Sequence, residues 1–540
     1  MAKFNEKKET VTNLITNYMG ELAFKQTPKE ELIFSVLTSF FEDSYYESKE
    51  SRIDRVSNLI KEIAQRDPEF VAKLAIYVRN IFHMRSAFPI LMGELSKVNK
   101  GNDIVRRGIF AGAERVDDLT ELVAYVGKPV PNAVTKGVAS ALTKFDTYQL
   151  SHYRGEKRKV SLIDVFNLVH PKPINDTMSK TYNDLMNGKL KQSNTTWEVN
   201  ISSVGQIAKE QNLNEEDKFE LKKDAWEKQI DVWVNYDGQN LVVKNYMALL
   251  RNLRNILQVE VDDIHLNKVL RAIADKKAVL NSKQLPFRFL SAYAEIEKLE
   301  TPYLNKTVVF ESDNVSRVEL VKGAIESAVL KSVDNIPKLP GKTVILSDNS
   351  GSMMGDIGGG SLVSAISKRT SADIANLFAT LYWAKAENTW IGLFGDTLKT
   401  PKLNRENGIF KNFSEINKAA FTVGPATETG IFTAFEKLIE EKEKVERIII
   451  FSDCQVGDGC KWYDTSRRKQ GPHFNKLVQD YLKFSPDTKI YSVDLKGYGN
   501  KMFDKNVVLV AGWSEKIFDL IKFAETDKNA LIKEIEKIQI

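Results

Sequence analysis

The spacing of apolar residues changes once along this chain, near residue 338, and that change restricts the fold more than any other feature. Up to about Leu330 apolar side chains return at three- and four-residue steps, the spacing of helices with one buried face. Within Asp67 to Phe82, Asp67 is placed to cap a helix starting at Pro68, and Phe70, Val71, Leu74, Val78, Ile81 and Phe82 share one face. Asp117 to Val126, Leu162 to Val169, Leu241 to Leu257 and Gln284 to Tyr293 repeat the pattern. Breakers such as Pro129 with Pro131, Pro171 with Pro173, and Gly188 separate them, so helical pairs in series, an α-helical solenoid, are expected. The polar stretch Asn194 to Asp217 reads as an excursion or a loop.

Beyond Lys338 the apolar runs are short and rich in β-branched residues: Thr343 to Leu346, Trp390 to Phe394, Arg447 to Phe451, Lys489 to Val493 and Val507 to Val510. Helical stretches alternate with them, notably Ser364 to Ala386, Phe432 to Glu441 and Phe474 to Phe484. Such alternation predicts an α/β, doubly wound parallel sheet covered on both faces, with ligands at the carboxyl ends of its strands. Prolines in Ile336-Pro-Lys-Leu-Pro-Gly341 mark the boundary, giving domains 1–337 and 338–540.

Composition narrows the function. With 42% hydrophobic and 28% charged residues the chain is globular, neither disordered nor fibrous. A formal net charge of +5 over 540 residues announces no nucleic-acid binder, so any basic surface must be local. The two cysteines, Cys454 and Cys460, form no CxxC pair, which suits a reducing compartment. No window approaches the ~18 apolar residues of a membrane span, and the N-terminus lacks an apolar signal core. A cytoplasmic protein without a membrane partner is expected.

The first strand of the second half runs into Asp348-Asn349-Ser350-Gly351-Ser352, a carboxylate and two hydroxyls at alternate positions on a strand-to-helix turn. Asp453 follows a later strand, and Thr427 lies in the turn before the helix from Phe432. In a doubly wound sheet these loops open on one edge. Oxygen-only ligands with room for water suit Mg²⁺, with Mn²⁺ as its natural substitute. The alternative is that Asp348 and Asp453 cap turns while the serines hold a helix N-terminus. A dehalogenase-like phosphatase would need a second Asp where Ser350 stands, and no Lys-Ser/Thr follows Gly360 to make a phosphate loop. Histidines 83, 152, 170, 265 and 473 stand in no paired ligand spacing, and no hydrolytic triad can be argued, so no enzyme is expected.

In the helical half, seven basic residues against three acidic ones lie between Lys136 and Lys172, with His152 and His170 in the same window. Lys136, Lys144, Tyr148, Arg154, Lys157, Arg158, Lys159, His170 and Lys172 are the candidate RNA contacts, because interleaved bases and aromatics suit phosphates and unpaired nucleobases. A solvated charged face is the alternative for the run, and a helix C-cap is the alternative for His170.

Two resemblances add to these readings. Asp348, Ser350, Ser352, Thr427 and Asp453 fill, in order, the metal-ion-dependent adhesion site of the von Willebrand factor A family. Lys144 to Asn175, ending in His170-Pro-Lys172-Pro, resembles the core of the TROVE module of the Ro ribonucleoprotein family, as do Ala248-Leu-Leu-Arg251-Asn252-Leu253 and Leu285-Pro-Phe287. That family's layout, a TROVE half followed by a von Willebrand A half, implies a ring of HEAT-like helical repeats sealed by the metal-site domain. It also implies small structured non-coding RNA (Y-like) on the outer surface and single-stranded ends of misfolded RNA in a central hole. Arg154, Lys157 and Arg158 carry over as the basic loop and His170 as the helix end, though the loop does not match residue for residue. An exoribonuclease, or an acidic protein at the metal site, is the protein partner implied. The competing reading is a metal-dependent protein-interaction module with no RNA role.

Overall fold

The computed structural model describes residues 14–39, 41–99, 103–155, 158–190, 197–284, 286–300, 312–332, 340–355, 361–363, 369–386, 388–457, 474–503, 507–512, 517 and 530–540. Lys157, Leu285, the boundary segment 333–339, glycines 358–360 and Cys460 lie outside them.

The first half is a helical series, as its periodicity predicts. Asp67 caps the helix Pro68–Asn80 by accepting from the Phe70 amide at 3.1 Å, and Thr27 and Ser161 close capping boxes on Pro28–Leu37 and Leu162–Val169. Pro68–Asn80 packs on Ala87–Val98 and Asp103–Gly112; Ala87–Val98 reaches Val116–Val126, and Asp103–Gly112 reaches Asn132–Leu142. Each helix so covers its neighbour and the one beyond, and a continuous apolar core results.

Two segments differ from expectation. Asn194 to Asp217 is not a loop: Trp197–Glu210 is a helix packed on Glu215–Trp233. Its buried stripe is only Val204 and Ala208, too sparse to show as a period. Leu241 to Leu257 begins as a strand, because Tyr236 and Leu241 pair in a small antiparallel hairpin before the helices Tyr246–Arg251 and Leu253–Gln258.

In chain order the strands are β1 (Leu14–Thr16), β2 (Leu22–Lys25), β3 (Val234–Asp237), β4 (Asn240–Val243), β5 (Lys342–Asp348), β6 (Asn388–Phe394), β7 (Leu398–Lys399), β8 (Arg447–Ser452), β9 (Lys489–Asp494), β10 (Asn500–Lys501) and β11 (Val507–Ala511). The main sheet has the order β11-β9-β8-β5-β6-β7, parallel except for the short edge strand β7. Every residue of β8 and all of β5 after Lys342 is buried, as a parallel sheet covered on both faces requires. The chain leaves β5 toward β6 on one side and later returns to β8 on the other, so the carboxyl end of β5 is a topological switch point.

Both ends of the helical series bear on this second half. Strand β2 pairs with β10, Lys25 opposite Asn500, so the N-terminal hairpin joins a sheet with the far end of the chain. At the other end the helix Ser312–Ser332 packs on Gly408–Ala420, Tyr293 lies over Phe410 with ring centroids 4.2 Å apart, and the Glu326 carboxylate accepts from the Ile409 amide. The helix Ala530–Glu536 then crosses back onto Pro68–Asn80, where Lys73 Nζ donates to the Glu536 carbonyl oxygen at 2.9 Å. The helical series is thereby closed on itself through the second half.

Candidate cation site and basic surface

At the carboxyl ends of β5 and β8 four of the five expected ligand residues come together. Asp348 and Asp453 are fully buried, and Ser350 and Ser352 nearly so. Asp348 Oδ1 accepts from the Ser350 amide at 3.0 Å and Oδ2 from Ser452 Oγ at 2.6 Å, while Ser350 Oγ and Ser352 Oγ lie 3.3 Å apart. Gly351 has no room for a side chain: a Cβ would stand 2.9 Å from the Pro425 carbonyl oxygen, to which its own amide donates at 2.8 Å. That contact ties the serine turn to the loop carrying Thr427. Thr427 itself is half-buried, and its hydroxyl donates to Asp396 Oδ1 at 2.8 Å.

Glu428 is a buried carboxylate here that the sequence reading did not single out. Following the Thr of the motif, it shows no spacing of its own. Burial holds the Asp348 carboxyl up at about 7, with the Asp453 charge adding to it, and burial likewise raises Asp453 and, more strongly, Glu428. Asp453 Oδ2 and Glu428 Oε2 are buried without a hydrogen-bond partner. Orphaned carboxylate oxygens beside two hydroxyls form a donor set that fits a hard divalent cation and fits no apolar ligand.

The basic residues of the helical half divide by what they already hold. Lys136, His170 and Lys172 line one cavity of about 640 Å³ together with Arg106, Arg107, Phe110, Ser140 and Thr143. Gly137 makes this possible, because a Cβ there would lie 3.2 Å from the Arg106 Cα and push the helices apart. Arg106 and Arg107 lie on Asp103–Gly112, outside the stretch that the charge count covers. His170 adopts the left-handed conformation that ends Leu162–Val169, its amide donating to the Phe166 carbonyl, with the residue exposed. It is a cap and a cavity-lining side chain at once.

Lys144 Nζ is spent on the carbonyl oxygens of Phe110 and Ala113, at 2.7 and 2.6 Å, and Arg154 on that of Leu190. Arg158 pairs with Glu121 at 3.1 Å and approaches Asp117 at 3.5 Å, so it belongs to an ion-pair network with Arg85 and Arg115. Lys159 is exposed beside a second cavity of about 620 Å³ that Lys128 and Asn167 also line. Tyr148, 52% exposed, is backed by His152, their rings stacked at 5.7 Å.

Glu227, Asp262 and His265 also bring ligand atoms within 4.8 Å of one another. Their contacts account for them: Asp262 caps Asp263–Ala274, its Oδ1 2.7 Å from His265 Nδ1, and Glu227 accepts from the Asp262 amide.

A helical series closed by a doubly wound domain, with a buried cluster of oxygen donors on the sheet's carboxyl edge and a basic cavity between helices, defines a two-part ring-closing protein. Residues 225–340 match the TROVE domain family. Over its fold the chain is similar to the Ro (RSR) protein of Deinococcus radiodurans, with a TM-score of 0.57 at 14% identity, covering 94% of this chain and 100% of that one. In sequence it is similar to telomerase protein component 1 of Rattus norvegicus, 24% identical over 274 residues (38% of this chain), and of Mus musculus, 41% identical over 68 residues (13% of this chain). The chain spans only 10% and 3% of the length of those two relatives. The TROVE match so falls on the last helices of the first half, and the likeness to the Ro (RSR) protein is one of fold.

Proposed function

We propose that this is a non-catalytic RNA-binding protein of the Ro type. In this reading a small structured non-coding RNA of the Y-like kind lies on its basic outer surface. Single-stranded ends of misfolded RNA enter the hole that the closed helical series surrounds, in RNA scaffolding or quality control. The observation that carries the reading is the cavity in which Arg106, Arg107, Lys136, His170 and Lys172 converge beside the half-exposed Phe110 ring. Phosphates meet cations there, and an unpaired base has an aromatic face to stack on. Lys144, Arg154 and Arg158 act one step back, holding the helices and loop that present the cavity. The test is to sequence the RNA that copurifies with the chain and titrate it back at several salt concentrations. Recovery of no defined RNA, with no salt-dependent binding, would sink the reading.

A second reading concerns the buried carboxylate cluster. Asp348, Ser350, Ser352 and Asp453 would hold Mg²⁺ or Mn²⁺, with Thr427 and Glu428 at its edge, on the strength of the orphaned Asp453 Oδ2. When bound, the ion supplies an electrophilic position for an outside carboxylate. An acidic side chain of a protein partner, such as an exoribonuclease handed the RNA end, is what that position would take.

A further inference from the structure

The buried ligand cluster lies against the seam between the two halves, and residues of the N-terminal hairpin bond to the segment that follows Asp453. Gln455 stands at the centre. Its amide donates to Asp453 Oδ1 at 3.0 Å, and its Nε2 to the Asp453 carbonyl oxygen at 3.2 Å and to Asn500 Oδ1 at 2.6 Å. Its Oε1 accepts from the Tyr18 amide at 2.9 Å, in the turn joining β1 to β2. Beside it Asn17 Nδ2 donates to the Val456 carbonyl oxygen at 2.8 Å, and Asn500, the β10 residue opposite Lys25, donates to the Cys454 carbonyl oxygen at 2.8 Å. The described residues after Asp453, up to Gly457, form neither helix nor strand, so side-chain bonds do most to order them. Beside the turn joining β1 to β2 the Tyr46 hydroxyl donates to Met19 Sδ at 3.2 Å. Its ring stacks on Tyr18 at 5.2 Å with 7° between the planes, and meets Tyr498 edge-on at 5.5 Å.

We propose that the cation site is a composite of both halves: the hairpin turn at Asn17 to Met19 positions its ligand shell through Gln455, and a bound divalent ion clamps the N-terminal hairpin to the second half. The inference rests on the cation reading of Asp348, Ser350, Ser352 and Asp453. Mg²⁺ and Mn²⁺ demand oxygens at fixed octahedral positions. An ion that fixes Asp453 therefore fixes Gln455 and its bond to the Tyr18 amide. Coupling of this kind is reciprocal, so a hairpin held in place prepares the shell and a hairpin let go loosens it. Gln455 is a positioning residue: it acts on the ion through Asp453.

The experiment uses the full chain and Mn²⁺ as the probe. Mn²⁺ affinity is measured by electron paramagnetic resonance for the unmutated protein and for Gln455→Ala, which keeps the backbone amide bond to Asp453 and removes the side chain that meets the Tyr18 amide. Amide hydrogen exchange over residues 14–25 is followed with and without Mn²⁺. Removal of such an outer partner is expected to weaken Mn²⁺ roughly tenfold or more, and Mn²⁺ is expected to slow exchange at the Tyr18 amide in the unmutated protein but not in Asp348→Ala. If Mn²⁺ binds the unmutated chain and either its affinity is indifferent to Gln455→Ala or the hairpin exchanges equally fast with and without it, the composite site is overturned and the cation reading stands. If Mn²⁺ does not bind the unmutated chain at all, both fall.

Discussion

Arg55 Nη2 donates to the carbonyl oxygen of Gly497 at 2.8 Å, joining positions 442 residues apart. The same guanidinium holds the Glu47 carboxylate at 2.8 Å through Nε and that of Glu31 at 3.1 Å through Nη1. One side chain so connects the helices Pro28–Leu37 and Lys49–Ala64 to the turn between β9 and β10.

Removing it leaves Glu47, whose side chain is 2% exposed, with Arg52 as its remaining ion-pair partner among the described residues. Arg55→Met is expected to cost about 3 kcal/mol, the scale for stripping one partner from a buried pair, read as a lower urea midpoint. Arg55→Lys should recover only part, because an ammonium cannot reproduce the guanidinium fork.

The buried carboxyls give the ion-free protein an unusual acid dependence. Asp348, held at about 7, and Asp494, held at about 6, are both raised above the usual carboxylate value by burial. A raised acid binds its proton more tightly folded than unfolded, so stability falls as pH rises from about 4 to 7. Lys496, lowered to about 8 by burial, works above that window, where stability should rise with pH through about 8 to 10. Without divalent ion the melting temperature is therefore expected to drop between pH 5.5 and 7. Asp348→Asn should flatten the slope, and saturating Mg²⁺ should reverse it by binding the ionised form.

Charge reversals in the helical half should separate into two kinds. Arg106 sits in an exposed pair with Asp103, worth under ~1 kcal/mol. Arg106→Glu and Lys136→Glu should weaken RNA binding with little change in melting, each lowering the slope of log affinity against log salt by roughly 0.7 per phosphate lost. Arg158→Glu, facing the buried Asp117, should destabilise the fold first. Parallel filter-binding and thermal-melt series distinguish the two.

His170 can be tested without confusing its two roles. Its left-handed backbone favours glycine, so His170→Gly should keep or raise stability by up to about 1 kcal/mol. If the ring touches RNA, affinity falls in the same variant. Unchanged affinity would leave His170 as a cap alone.

The elements legible in sequence are those whose reason is local. The β-branched runs of the second half, the Asp67 cap and the order Asp348, Ser350, Ser352, Asp453 can be read because burial on both faces, capping and strand-end turns write themselves into neighbouring residues. What escaped depends on distant partners. The hairpin of β1 and β2 has only the short apolar runs Leu14-Ile15 and Leu22-Ala23-Phe24 to announce it and is completed by β10. Arg106 and Arg107 join Lys136 only because Gly137 lets two helices touch. Glu428 becomes notable through burial alone.

The pairing of β2 with β10 also sets a timetable for synthesis. Gln26 and Asn500 are 474 residues apart. At a ribosomal pace of roughly 5–20 residues per second, the hairpin emerges some tens of seconds, about 25 to 95, before its partner strand exists. For that interval β2 has an open edge, the kind of surface on which nascent chains aggregate. Lys25, at the end of β2, is the sort of charged residue that blunts such an edge while the rest of the protein is being made.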